Sequence, residues 1–225
     1  MKKTKLQRIA IVGASTLGKM IEYHAVNDAG IKVVGYYDDF IQEKDCSEIT
    51  LLGNIPKVIS DYQSNLFDAV IIGIGYSQMS ARKHTYNILK GKVPLANIIH
   101  SSAYIDSSCI LGEGIVILPG VILDYDVVIK DNVLINTGSL VAHHSKIEEN
   151  SFIAPGVKIA GYVTVESESF IGIGATIIDM INILKNSIIG AGALVIKDTK
   201  ENSLSVGVPS KIIKYNIKEA NHEKI

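Results

Sequence analysis

Two cysteines in 225 residues, Cys46 and Cys109, are too few for a disulfide framework or a structural zinc site. Both are expected to be small buried residues in a reducing compartment. Charge of one sign is missing too: 22 Lys+Arg against 23 Asp+Glu leave a formal net of -1 and no electrostatic footprint for nucleic acid. No apolar run approaches the roughly 18 residues of a membrane span. Met1-Lys2-Lys3 imitates the start of a signal peptide, but the apolar run behind it stops at Gly13 and is too short. The expectation is a soluble, cytoplasmic protein. What is present in quantity is core material, 47% hydrophobic against 20% charged.

From residue 99 an aliphatic residue recurs at every sixth position, from Ile99, Ile105 and Leu111 through to Ile183, Ile189 and Val195. No helical period produces that spacing. Two positions before each aliphatic stands a small or β-branched residue, such as Cys109, Val121, Ser139 or Ser151, and alternation puts both on one face. Two and three positions after it come turn formers: Pro119-Gly120, Asp131-Asn132, Thr137-Gly138, Pro155-Gly156. Short strand, corner, short strand, with three six-residue sides per coil, describes a triangular parallel β-helix in which residues 18 apart stack roughly 4.8 Å from one another.

Residues before about 94 follow another pattern. Segments 8–13, 32–37 and 68–73 are predicted strands, and 17–29 and 77–90 predicted helices, a small parallel α/β unit. The expected division is 1–94 for this unit, 95–212 for the β-helix and 213–225 for a polar tail. Between the first strand and helix lies Gly13-Ala14-Ser15-Thr16-Leu17-Gly18-Lys19, which places backbone N–H groups at a helix N-terminus, where an anion is welcome. Met20 stands where a P-loop needs Ser or Thr, and the middle glycine of a dinucleotide fingerprint is missing. Asp38 and Asp39 end the second strand, Gly73 ends the third, and Arg82 in the helix beyond is long enough to reach a phosphate or to stay solvated.

One corner departs from the turn chemistry. His143-His144 is built from two histidines; His144 falls in the slot usually held by Gly, Asn or Asp, where His tolerates positive φ, and His143 has no such explanation.

The repeat resembles the hexapeptide-repeat acyltransferases, and Gly207-Val208-Pro209-Ser210-Lys211 is similar to the closing signature of that class. Over its length from Ile9 to about Lys211 the chain resembles the two-domain sugar O- or N-acetyltransferases. These are typified by the bacterial sialic acid O-acetyltransferases and by the enzymes that N-acetylate nucleotide-linked 4-amino sugars. The resemblance implies a left-handed parallel β-helix behind a Rossmann-like α/β domain, a homotrimer, and acetyl-CoA as co-substrate. It implies nucleotide-sugar contacts at Ser15, Thr16, Leu17, Asp38, Asp39 and Gly73, although Thr16-Leu17 replace the Gly-His of the family loop. By the same resemblance Asn136-Thr137 followed by His143 matches the catalytic segment, with His143 as general base, and coenzyme A contacts fall at Phe152, Ile173 and Ala191, beside Gly174 and Gly192. Lys197 and Lys211 are candidates for its phosphates.

Family members carry a carboxylate directly after the catalytic His; here that place is His144. Counting back 18 from His144 reaches Asp126, so Asp126 is expected beside the corner as a substitute acid, with His144 itself as the alternative partner. The leading reading is N-acetylation of a nucleotide-linked 4-amino-4,6-dideoxy sugar. Alternatives are O-acetylation of sialic acid or a related sugar and a β-helix scaffold that binds nucleotide-sugar without turnover. A zinc site of the γ-carbonic-anhydrase kind would have to use His100, His143 and His144, the histidines on the coils; no metal is expected.

Overall fold

The computed structural model describes residues 7–41 and 50–217; Cys46 and residues 218–225 lie outside the described residues. Four parallel strands, β1 (Arg8–Val12), β2 (Lys32–Tyr37), β3 (Leu51–Gly53) and β4 (Ala69–Ile72), form a sheet in the order β3-β2-β1-β4. Helices α1 (Thr16–Asn27), α2 (Val58–Gln63) and α3 (Met79–Leu89) connect and flank it. β3 and α2 were not expected from the sequence. Three strand residues and six helical ones are too few to show a period. Ile9, Ile11 and Ile71 bury one sheet face, and Ala10, Val12, Val70 and Ile72 the other. The chain leaves along the sheet, with Val70 N–H donating to Pro94 O and Ala96 N–H to Val70 O.

Seventeen two-residue strands follow, from β5 (Ile98–Ile99) to β21 (Leu194–Val195), one for each aliphatic of the repeat. Strands three apart pair in parallel, residue i against i+18, and so make three flat faces of a left-handed prism. Every sixth residue from Gly114 to Gly192 has positive φ, including Asp126 (58°), Asn132 (54°) and His144 (59°). The inward column, Ile117, Leu123, Ile129, Ile135, Val141, Ile147 and Ile153, is fully buried. Each Å² of apolar surface this column buries stabilises the coil stack by about 25 cal/mol.

The small inward residues are also satisfied by register. Ser139, Ser145, Ser151 and Ser169 each donate to the carbonyl 15 residues on, as in Ser139 Oγ to Ala154 O at 2.9 Å. Cys109 occupies the same slot, its Sγ 3.2 Å from Asp124 O, and burial pushes its thiol pKa up. A thiol so placed packs the coil and is not a nucleophile.

The α/β domain sits on the face made by β5, β8 (Val116–Ile117), β11 (Leu134–Ile135), β14 (Phe152–Ile153), β17 (Phe170–Ile171) and β20 (Ile188–Ile189), sharing one apolar cluster with it. Tyr86 Oη donates to Asp131 at 2.8 Å, Lys83 pairs with Glu168 at 2.9 Å, and Ser101 N–H donates to Asp28 at 2.7 Å. β22 (Ser203–Val206) extends that face in parallel, and β23 (Lys211–Tyr215) returns antiparallel to it, so the residues expected to begin a polar tail at 213 lie within a strand.

Candidate active site

His143 and His144 form the corner after β12 (Leu140–Val141), gripped from the coils on both sides. His144 N–H donates to Tyr125 O at 3.0 Å, and Tyr162 N–H donates to His143 O at 3.1 Å. Buried Val141 and Ser145 pin the two ends, Ser145 Oγ donating to Ala160 O at 2.8 Å. Both imidazoles are left exposed. The His143 ring lies over Gly161, where a Cβ would come 2.6 Å from its Cε1, so only glycine 18 residues on leaves the ring this room. His143 Nδ1 and His144 Nδ1 are 3.1 Å apart. The His144 ring stacks on Tyr162 (centroids 4.8 Å, 17°) and meets Tyr125 edge-on at 5.4 Å.

Asp126 is where counting by 18 puts it, but it faces His144: Oδ2 is 3.8 Å from His144 Nε2, an ion-pair separation too long for a hydrogen bond. The two candidate partners thus stand in series behind His143. His100 lies on another face, edge-to-face with His24 at 5.2 Å and 3.6 Å from Asp28, and does not converge on the pair.

The neighbouring edge of the prism, after β11, carries Asn136, whose Oδ1 accepts the Thr137 N–H at 2.8 Å. Above it runs a trough of about 830 Å³ lined by Tyr76, Ser77, Asn136, Phe152, Phe170, Ile173, Ile188, Ala191 and Val206, among others. Phe152, Ile173 and Ala191 therefore meet in one cavity. Gly174 and Gly192 are positive-φ corners facing open space, whereas Gly172 and Gly190 are the lining glycines: a Cβ on Gly172 would come 2.6 Å from Ile189 O, and one on Gly190 2.7 Å from Val206 Cγ1. Lys197 and Lys211 are exposed beyond the last coil. Tyr76, from the α/β domain, stacks on Phe170 at 5.1 Å and meets Phe152 at 5.5 Å. Sequence reasoning missed Phe170 and Ile188, which steps of 18 from Phe152 reach, and Tyr76 and Val206, for which no spacing exists.

At the carboxyl edge of the α/β sheet three glycines interpenetrate. A Cβ on Gly18 would lie 2.0 Å from Gly13 O, and one on Gly73 2.8 Å from Gly18 Cα. Asp38 answers part of the loop: its Oδ2 accepts Ala14 N–H at 2.9 Å and its Oδ1 accepts Phe40 and Ile41 N–H. Ser15, the N-cap of α1, makes no side-chain cap bond, and Ser15 and Thr16 are exposed with Leu17 half-buried beside them. Asp39 turns away to accept Ile55 N–H at 2.8 Å. Arg82 corrects the expectation of a phosphate ligand or solvated side chain. It is fully buried and donates to Ile72 O, Ile74 O and Asn132 O.

This is the architecture of the left-handed β-helix acyltransferases: a coil edge carrying an imidazole, an apolar trough on the next edge, and an α/β domain leaning over that trough. Residues 8–89 match the PglD N-terminal domain and residues 126–161 the bacterial transferase hexapeptide model of six repeats. Solved structures that combine these two parts, and that this chain resembles, are sugar N-acetyltransferases of the left-handed β-helix class. Among solved structures it is similar to GDP-perosamine N-acetyltransferase from Caulobacter crescentus, solved as a His-to-Ala mutant in complex with CoA and GDP-perosamine; identity is 25%, coverage 92% of this chain and 96% of that one, and the TM-score 0.82. WeeI from Acinetobacter baumannii is 25% identical over 91% of this chain and 99% of its own, with a TM-score of 0.77. The acetyltransferase domain of PglB from Neisseria gonorrhoeae, solved with acetyl coenzyme A, shares the fold at 23% identity, covering 92% and 100%, with a TM-score of 0.83. No curated protein matched the chain by sequence.

Proposed function

We propose that this enzyme moves the acetyl group of acetyl-CoA to the amine of a nucleotide-linked 4-amino-4,6-dideoxy sugar, with His143 as general base. The observation that carries the reading is the ordered pair at the corner. His143 Nε2 has no hydrogen-bond partner among the described residues, while Nδ1 is held 3.1 Å from His144 Nδ1. If His143 Nδ1 donates, His144 accepts on Nδ1 and carries its proton on Nε2, turned towards Asp126. That tautomer chain leaves the His143 Nε2 lone pair free for the substrate amine and stabilises the imidazolium once formed. The amine nitrogen attacks the thioester carbonyl as Nε2 takes its proton. The tetrahedral intermediate then collapses, expelling the coenzyme A thiolate, which recovers the proton. Amide and free thiol are the products.

The donor trough fits the pantetheine arm and thioester end of acetyl-CoA, with Phe152, Ile173, Ala191 and the lining glycines Gly172 and Gly190 along it, in place of the expected Gly174 and Gly192, and with Lys211 near its phosphates. The acceptor's diphosphate suits the loop at Ser15, Thr16 and Leu17, where N–H groups of α1 point outward. Gly73 shapes the floor, Asp38 fixes the loop, and Asp39 stands at the rim. His143 and Asn136 lie on adjacent edges, seven residues along the chain and so at most about 25 Å apart. A second copy of the chain bridges that gap in a homotrimer, and exposed Tyr104, Ile122 and Leu140 on one outer face supply an apolar surface for it. The two-cysteine composition supports a cytoplasmic setting.

Thiol release from acetyl-CoA against UDP-, TDP- and GDP-linked 4-amino sugars and free sialic acid tests this. Turnover of one nucleotide-linked amine is expected. Turnover of sialic acid alone would move the assignment to O-acetylation, and silence across the panel would leave a binding scaffold. Within the series model, His144→Ala is expected to lower kcat about tenfold or more, and Asp126→Asn by less. An Asp126→Asn variant with a full rate and an unchanged pH profile would remove the acid from the relay.

A further inference from the structure

Arg82 is completely buried in α3, and no carboxylate partners it among the described residues. Its Nη1 donates to Ile72 O at 2.8 Å and Ile74 O at 3.1 Å, and its Nη2 to Asn132 O at 3.1 Å. Its Nε and the Oδ1 of Asn132 are buried with no partner at all. Burial alone pulls the guanidinium down to about 10, so it stays charged at neutral pH. A cation placed in a dry junction without a counter-ion is costly, and an aliphatic side chain would fill the same stripe of α3 without that cost. The group is therefore kept for what its donors hold.

Those donors fall on the two carbonyls that flank Gly73 and on a corner of the β-helix. Asn132 is a positive-φ corner residue whose Nδ2 donates to Asn150 Oδ1 in the next coil at 2.9 Å. One planar guanidinium thus ties the acceptor-side loop of the α/β domain to two stacked coils of the catalytic domain. Tyr76, three residues beyond Gly73, is anchored separately by its ring against Phe152 and Phe170.

We infer that Arg82 is a positioning residue that fixes the height of the Gly73 loop over the β-helix, and so sets where the acceptor's amine meets the acetyl donor. This rests on the acetyltransferase reading above. The test compares Arg82→Met and Arg82→Lys with wild type, using separate KM values for nucleotide-sugar and acetyl-CoA. In Arg82→Met the nucleotide-sugar KM is expected to rise about tenfold or more, with the acetyl-CoA KM within about twofold. Arg82→Lys, which keeps the charge but not the fork, should recover part of the loss. A nucleotide-sugar KM unchanged in folded Arg82→Met, or a parallel rise for both substrates, overturns the proposal. Amide exchange of residues 72–78, followed without substrate, should quicken about tenfold in either variant while residues 140–165 stay as in wild type; equal exchange also overturns it. If Arg82→Met does not fold, Arg82→Lys carries both readings. Wild type inactive on every acceptor would end the functional reading, and exchange alone would then decide the positioning role.

Discussion

In the β-helix a residue's neighbours are the ones 18 positions before and after it, whereas in the α/β domain they arrive from segments with no fixed spacing. His144 is bracketed by Asp126 and Tyr162, both one coil away. Gly18 is bracketed by Gly13 from the β1 loop and Gly73 from the end of β4. The His143–His144 corner is thus held by a repeating ladder that tolerates one odd coil, while the glycine loop of the α/β domain is held by interpenetration at a single point. Substitutions should behave accordingly: local in the first region, domain-wide in the second.

The largest expected effect is catalytic. His143→Ala should lower kcat by about 10² to 10⁴ and leave Tm unchanged, because the side chain is exposed and the corner is fixed through its backbone. Parallel kinetics and thermal melts read both halves of that statement. A paired glycine test sharpens the contrast between regions. Gly18→Ala should destabilise by at least about 2 kcal/mol, since its Cβ would come 2.0 Å from Gly13 O. Gly174→Ala faces open space and should lose only the left-handed backbone preference, about 1–2 kcal/mol in chemical denaturation.

Gly161→Ala joins the two kinds of effect. Its Cβ must push the His143 ring aside from 2.6 Å, so kcat is expected to fall about 100-fold with little loss of stability. Retained activity would mean that the ring position seen here is not the working one. The smallest effect is at the domain junction. Burial holds His24 below its ordinary range, so its contribution to stability is present above about pH 6.5 and declines as pH falls below it. The hydroxyl and N–H of Ser101 hold Asp28 below the usual carboxylate range, so its contribution is present above about pH 4 and is lost below. Both signs agree: Tm should be flat from pH 8 to 7 and fall on acidification. Asp28→Asn should remove the lower step.

Much of this was legible in the sequence, and the ladder explains which part. The six-residue phase located the inward column, the positive-φ corner at His144 and the approach of Asp126. Counting forward as well as back would have reached Gly161 and Tyr162. The trough was half legible, through Phe152, Ile173 and Ala191, but Tyr76 and Val206 enter from outside the repeat. In the α/β domain the glycine loop suggested an anion site, and its three glycines prove to pack against one another while Asp38 takes one loop N–H. Arg82 misled because its type suggests water or phosphate, although Met79, Arg82, Tyr86 and Leu89 recur at the spacing of one buried helix stripe.

The central claim is that base and trough lie on different edges and act together only across two chains. Its most direct test is complementation: mix His143→Ala, which lacks the base, with Ala191→Trp, which fills the trough, and measure thiol release from acetyl-CoA with the preferred nucleotide-linked amine. Each variant alone should be nearly silent, and an equal mixture should regain about a quarter of the wild-type rate per chain, the share of sites that draw base and trough from intact partners. A mixture that assembles and stays silent, or a monomeric wild type that turns over fully, would contradict the account.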